Sequence, residues 1–337
     1  MEILITVIKI AVVMGVMLGA VAYIVLVERK VAAAIQNRIG PNRVGWQGLL
    51  QPLADVLKLV MKEDIVPAKA NKFIHDLAPI ISITVALTTF AVVPFGNHIN
   101  LFGHDIKLQI ADVNIGVLYI LALTSLGVYG VTLSGWSSNN KYSLLGGMRS
   151  SAQMISYELS MGVSVIGVVM IAGSLQLDKV VEAQAGWHWN IFLQPIGFIT
   201  FLVASFAETN RLPFDLPEAE PELVAGYHTE YSGLKFGLFY LTEYAAMLTS
   251  SAIITTLYLG GWQLPFVHSF GLSDFSVAIL QVLAFCVKVI ALVLFFIVIR
   301  WTIPRFRYDQ LMNIGWKVML PLAILNLLLT GVGMLIF

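Results

Sequence analysis

Apolar runs long enough to cross a hydrocarbon layer recur along the whole chain, punctuated by short segments rich in Gly, Pro, Asn and charge. A spanning helix needs about 20 predominantly apolar residues. The runs predict helices over 3–27, 77–95, 113–135, 154–173, 191–207, 238–258, 276–299 and 317–336. None alternates with period two, which argues against a β-barrel. The pattern predicts an all-α integral membrane protein, a single polytopic domain over 1–337 with about eight transmembrane helices and amphipathic surface helices on its cytoplasmic face. Between the runs, the segments 28–76, 136–153, 208–237 and 300–317 are expected to share that inner face. Within the first, Leu49, Leu50, Leu53, Val56, Leu57 and Val60 recur at helical spacing, with Gln51, Asp55, Lys58 and Lys62 between them. Such a helix lies at a membrane surface or under a soluble partner. It is either a surface anchor or a lid over a cavity opening to lipid, because Arg38, Gly40, Pro41, Arg43 and Trp46 lead into it. Trp46 at this level also fits an aromatic belt.

Composition agrees with a bilayer: 58% of residues are hydrophobic and 12% charged, and mean hydropathy is +0.83. Zero formal net charge hides an asymmetry. With the amino terminus outside, one set of loops carries Arg29, Lys30, Arg38, Arg43, Lys58, Lys62, Lys69, Lys72, Lys141, Arg149, Arg211, Lys235, Arg300, Arg305, Arg307 and Lys317. The opposite loops keep Lys107 and Lys179. The positive-inside rule then puts the basic face in the cytoplasm or its equivalent compartment, with both termini outside; a bacterial inner membrane is the expected home of the multi-pass chain, with organellar inner membranes second. The start, Met1-Glu2, has no basic n-region, so a cleaved signal peptide is not expected.

Redox and nucleotide signatures are missing from the sequence. Cys286 is the single cysteine, and one thiol cannot hold an iron–sulfur cluster, a structural zinc or a disulfide. Neither GxGxxG, GxxxxGK[ST] nor HExxH occurs, and His98, His104, His188 and His268 show no ligand spacing, so no metal site is expected. Electrons for any redox reaction would come from a partner.

Carboxylates gather where they are least expected. From Glu208 to Tyr231 the chain reads ETNRLPFDLPEAEPELVAGYHTEY, with six acids: Glu208, Asp215, Glu218, Glu220, Glu222 and Glu230. Asp215 and Glu218 have capping-box spacing, and Pro213, Pro217 and Pro221 recur every four residues, which forbids a long helix. A capped, solvated loop would explain this much. Glu158 and Glu243 weaken that reading, because both lie within apolar stretches that begin on the same membrane side. Acids near hydrocarbon are costly and mark proton or ion routes. Lys288 is a third charge inside an apolar run, and one alternative is that it neutralises an acid. In the last inner segment Arg300, Arg305, Arg307 and Lys317 mix with Trp301, Phe306, Tyr308 and Trp316. That mixture suits an anionic lipid surface, a subunit interface or the mouth of a site for an amphipathic ring.

Five blocks carry a resemblance: Glu28-Arg-Lys30, RIGPNRVGWQGLLQPLADVLKL (38–59), RSSAQMISYELSMG (149–162), AETNRLPFDLPEAEPELVAGYHTEYSGLKF (207–236) and RWTIPRFRYDQLMNIGWK (300–317). Over essentially its full length the chain resembles the family of quinone-chamber membrane subunits of proton-pumping NADH-quinone oxidoreductase, respiratory complex I. The resemblance implies eight transmembrane helices, quinone as substrate, and NADH, FMN and iron–sulfur clusters in partner subunits. It implies peripheral quinone-site subunits, antiporter-like membrane subunits and lipid as partners, and no nucleic acid. It makes Arg29, Arg38, Trp46, Asp55, Phe214, Arg300 and Arg305 candidates for the quinone chamber and its mouth. It makes Glu158, Glu208, Asp215, Glu218, Glu220, Glu222, Glu230 and Glu243 candidates for an acidic proton route. A homologous membrane component of an energy-converting hydrogenase or ferredoxin-linked complex is the alternative. A stand-alone proton-coupled transporter fits less well, because the sequence shows no convincing internal repeat.

Overall fold

The 34 residues Glu2–Ile35 form one helix, α1, which the apolar pattern places only as far as 27. At 1.5 Å per residue it is about 51 Å long, so its last turns reach past a hydrocarbon layer of roughly 30 Å. Glu28, Arg29 and Lys30 continue it because all three find partners there, described below. The computed structural model describes residues 2–101, 104–216, 220–265 and 273–336.

After α1, a short surface helix α2 (Gln51–Val60) buries none of its residues. This is the amphipathic helix the spacing predicts. The chain enters α3 (Lys72–Thr89) at Asn71, whose side chain accepts from the Ile74 N–H, and then a hairpin of β1 (His98–Leu101) and β2 (His104–Lys107), antiparallel with His98 opposite Lys107. Helices α4 (Gly116–Ser137) and α5 (Lys141–Ala172) follow, with Asn140 capping α5. Then come α6 (Leu177–Ala183), α7 (Asn190–Leu193), α8 (Pro195–Glu208) and α9 (Glu220–Leu223). The chain ends with α10 (Gly233–Tyr258), α11 (Asp274–Thr302), α12 (Tyr308–Asn313) and α13 (Leu320–Ile336), the last two joined by a π-helical turn over Ile314–Met319.

Among the described residues six helical stretches are long and apolar enough to cross a membrane: Ile3–Ile35, Lys72–Val92, Gly116–Ser137, Lys141–Ala172, Asp274–Thr302 and Tyr308–Ile336. The expected count of about eight would need α8 and α10 as well. At 14 residues α8 is short. With 26 residues α10 has the length, but Ser, Thr and Tyr dilute its hydropathy. Its polarity has a structural cause. Its last turns, Ser250–Tyr258, are buried, and it packs on α1, α3 and α11. Thr249, Ser251, Thr255 and Thr256 each return their hydroxyl to the carbonyl four residues back, at 2.8 Å. A helix wrapped by protein with its hydroxyls satisfied needs no apolar coat.

The other packing partners are α4 and α3, α5 and α4, α8 and α5, and α13 and α5. Close approach is paid for in side-chain volume: a Cβ on Gly146 of α5 would stand 2.7 Å from the backbone of Gly226 and Tyr227.

The loops sort to two ends. At one, Asn71 N–H donates to Ser137 O (3.1 Å), Ile65 N–H to Ser232 Oγ (2.9 Å), Asn140 Nδ2 to Glu230 (2.6 Å) and Phe306 N–H to Pro213 O (3.2 Å). This end gathers the basic segments. At the other, Lys107 pairs with Asp112 (2.6 Å) and Asp178 (3.3 Å). Burial pushes the Asp178 carboxyl above its usual range, more than Lys107 pulls it down. Lys288 also belongs to this end, and its ammonium donates to backbone carbonyls, not to the acid that one alternative reading supposes. Its acceptors are the carbonyls of Leu259, Gly261 and Gln263 at 2.8, 3.0 and 2.9 Å, and it lies 4.4 Å from the centre of the Trp189 ring.

Candidate functional site

Helix α8 ends in a tight loop that α5 holds in place. Gln153 donates to the carbonyls of Ala207 (2.8 Å) and Phe214 (2.7 Å), and Tyr157 sets its ring edge-on to Phe214 with centroids 5.5 Å apart. Asn210 turns the chain with φ 51°. These constraints drive Arg211 inward, where its side chain is 2% exposed.

Four elements meet around that guanidinium. Arg211 contacts Glu28 of α1 at 2.8 Å and Glu243 of α10 at 2.5 Å, while Arg300 of α11 reaches the other oxygen of Glu28 at 2.5 Å. The Tyr244 ring lies 4.0 Å from the Arg211 guanidinium carbon, and its hydroxyl is 3.1 Å from that of Tyr240. Burial alone would lower the Arg211 pKa, but Glu243 and Glu28 outweigh it and hold the guanidinium above its ordinary value. Two acids face two bases, so the buried cluster is formally neutral, the arrangement in which burial of charge is tolerable.

Glu243 also faces a second feature, a cavity of about 110 Å³ among α3, α4, α5, α8 and α10. One water needs roughly 10–15 Å³ measured in this way, so the space suffices for several. Its polar lining includes Glu208, Glu243, Asn210, Thr124, Thr242 and Ser250. Thr124 hydrogen-bonds Glu208, and its neighbour Ser125 donates to Glu158 of α5. Two acids thus line one cavity from α8 and α10, and a third, on α5, stands beside it.

The remaining candidates sort by distance from this centre. Asp215 is buried and pairs with Arg305 at 3.0 Å, and Phe214 is buried between Tyr157 and Phe306, with centroids 5.5 Å from each. Glu222 is half exposed and pairs with Arg149 (2.6 Å), and Glu230 holds Asn140 (2.6 Å); neither reaches the buried cluster. Glu218 lies outside the described residues, so its capping box with Asp215 does too. Glu220 is described only as the first residue of α9. Arg29 bridges to Asp55 at 2.7 Å and Lys30 donates to Gln47 O at 2.7 Å, which fixes α2 against α1. Arg38 bonds Gln36 at the surface, and Trp46 is 77% exposed. Arg29, Asp55, Arg38 and Trp46 are partly or fully exposed, whereas Phe214 is buried and Arg300 and Arg305 are largely enclosed.

Sequence reasoning leaves out Glu28 as a site residue and treats Arg211 only as a base among acids. A signal for Glu28 is present: it is an acid within a helical run that Val31 to Ile35 continue. The partner of Arg211 lies 183 residues away in sequence, and no spacing rule reaches that far. Among the described residues no group of three or more His, Cys, Asp or Glu is arranged to hold a metal ion.

The Arg305–Asp215 pair ties the last inner segment to the acidic loop. Reversing one charge, Arg305→Glu, sets two carboxylates against each other and should destabilise the chain by about 3 kcal/mol. Thermal unfolding in detergent measures it, and adding Asp215→Asn should restore most of the loss.

A buried acid–arginine cluster beside a largely apolar cavity with acids in its wall, inside a bundle of apolar helices, defines an all-α membrane protein. A family model described as NADH dehydrogenase matches residues 8–331, and the chain belongs to that family. It is 52% identical over 315 residues to an NADH-quinone oxidoreductase H subunit (copy 1) of Cytophaga hutchinsonii, covering 94% of this chain and 92% of the relative. It is 53% identical over 331 residues to NADH-quinone oxidoreductase subunit 8 of Rhodothermus marinus, covering 95% and 94%. It is 52% identical over 335 residues to the NADH-quinone oxidoreductase H subunit of Salinibacter ruber, covering 96% and 94%. These matches bear out the resemblance read from the five blocks and do not favour the hydrogenase-type alternative.

Proposed function

We propose that this chain is the membrane subunit of a proton-pumping NADH:quinone oxidoreductase that borders the quinone chamber and begins the acidic route into the membrane arm. The observation that carries the reading is the double role of Glu243. It is an ion-pair partner of Arg211 and at the same time part of the cavity wall. A change in charge near Arg300 or Arg305 would alter the field on Arg211, and Glu243 would answer by binding or releasing a proton toward the cavity water. Glu208 and Glu158 extend the route, with buried Asp215 nearby on the acidic loop, while Glu222 and Glu230, engaged with Arg149 and Asn140, stand outside it. Phe214, Arg300 and Arg305 would face the quinone head-group side, with Arg29, Asp55, Arg38 and Trp46 at the mouth, where an amphipathic helix and exposed aromatics suit a lipid-borne ring.

In this reading NADH, FMN and iron–sulfur clusters belong to peripheral partner subunits, antiporter-like subunits continue the membrane arm, and quinone is the substrate. The chain is multi-pass in a bacterial inner membrane, with α8 and α10 completing eight crossings and the basic end in the cytoplasm.

Affinity purification through this chain should bring down a complex that contains flavin, iron–sulfur clusters and bound quinone and that reduces quinone with NADH. A chain that purifies alone, or with partners free of flavin, would overturn the assignment.

A further inference from the structure

His75 lies one turn inside the basic end of α3 and is 0% exposed. Its ring stacks on that of Tyr231 with centroids 3.9 Å apart and planes within 6°. Neither ring nitrogen makes a well-formed hydrogen bond; the nearest polar groups are the Asp76 carboxylate at 4.0 Å and the backbone of Glu230. A buried polar atom left this way costs stability. Phenylalanine would fill the same place against Tyr231 without that cost, so packing does not account for the imidazole.

What lies on either side of the ring does. Toward solvent, Asp76 is half exposed and shares Lys235 of α10 with Asp64, at 2.6 and 2.7 Å. Glu230 and Tyr231 face the ring from the loop before α10, and the Tyr231 hydroxyl lies 3.3 Å from Ser137 of α4. Toward the interior, Tyr231 packs on Phe239, and Phe239, Tyr227 and Ser82 line the acid-bearing cavity. On α3 itself Pro79 has no N–H, so the His75 carbonyl lacks its helical partner and offers an acceptor on the way to Ser82, two turns from His75.

We propose that His75 is the proton inlet of the cavity. Water at Asp76 and Lys235 gives a proton to one ring nitrogen, and the other nitrogen releases a proton inward to cavity water, returning the imidazole to neutral. Glu208 and Glu243 are filled from that water. A ring held only by the Glu230 backbone and the more distant Asp76 carboxylate can change tautomer, which suits a shuttle. The inlet rests on the reading of the cavity acids as a proton route.

The test uses the complete complex in proteoliposomes, with His75→Phe and His75→Gln in this chain. His75→Phe keeps the stack and should assemble, while proton-coupled quinone reduction falls by about tenfold. That is less than the roughly 100-fold or more of a group transferring a proton at the reacting atoms, because His75 acts at the entrance. The loss should deepen as pH rises, a pH dependence that a packing defect would not produce. Wild-type rate and pH profile in His75→Phe would overturn the inlet, and so would failure of both variants to assemble, which would assign His75 to packing. Glu208→Gln and Glu243→Gln run alongside. If both pump normally, the acidic route itself is wrong; if they fail while His75→Phe works, only the inlet is.

Discussion

Arg211→Gln should remove about 3–5 kcal/mol of stability, the usual consequence of stripping one partner from a buried ion pair. The side chain is almost wholly enclosed and is shared by Glu28 and Glu243, so glutamine would leave two acids facing each other with only Arg300 to offset them. The stacking of Arg211 on Tyr244 is lost as well. The measurement is the midpoint of unfolding in detergent, together with the yield of assembled complex. A second substitution separates charge from shape. Glu243→Gln added to Arg211→Gln removes the stranded acid, and stability should recover by more than half of what was lost. If the single variant unfolds with the parent, or the double variant is worse than the single, the cluster is not held by charge balance.

Glu208→Gln should reduce proton-coupled turnover by about 100-fold, in the range expected for a positioned acid or base, while the chain folds normally. Glutamine keeps the size and hydrogen-bonding capacity that Thr124 needs and removes only the titrating group. The contrast is with Glu222→Gln, because Glu222 is half exposed and its partner Arg149 can turn to water; exposed pairs of this kind contribute about 0–1 kcal/mol. Glu222→Gln should therefore keep most of its turnover. Pumping and quinone reduction are followed together in proteoliposomes, and equal losses in the two variants would move the route from the cavity to the surface loop.

The helices are readable because lipid imposes one demand on every spanning run, and α3, α4, α11 and α13 appear close to where the apolar pattern puts them; α5 instead begins at Lys141, inside the segment 136–153 expected as an inner-face connection, because its polar first turns are capped by Asn140 and packed on protein. α1 is under-read because a composition rule stops at Glu28, whereas the helix stops where its hydrogen bonds do. α10 satisfies length but not hydropathy, since its surroundings are protein and its hydroxyls bond their own backbone. For the site, Glu158, Glu208 and Glu243 stand out as acids in or against apolar stretches, and the structure gathers all three at or beside the cavity. Glu222 and Glu230 look equivalent to them in sequence because nothing local says which acids turn inward. Arg211 and His75 are beyond reach for the same reason: their meaning lies in partners from other helices.

The cradle of carbonyls around Lys288 constrains how this molecule can move. It clasps the chain just past one end of α10, while the Glu243–Arg211 contact grips the same helix nearer its other end. A rod clamped at two points cannot ratchet along its axis or swivel without breaking several charge-assisted bonds together. Piston-like models of energy transfer through α10 are therefore disfavoured. What stays free to rearrange is small in scale: rotamers, water and the turn that carries Arg211. Coupling across these helices would then resemble a shift of charge past a fixed post more than the stroke of a lever.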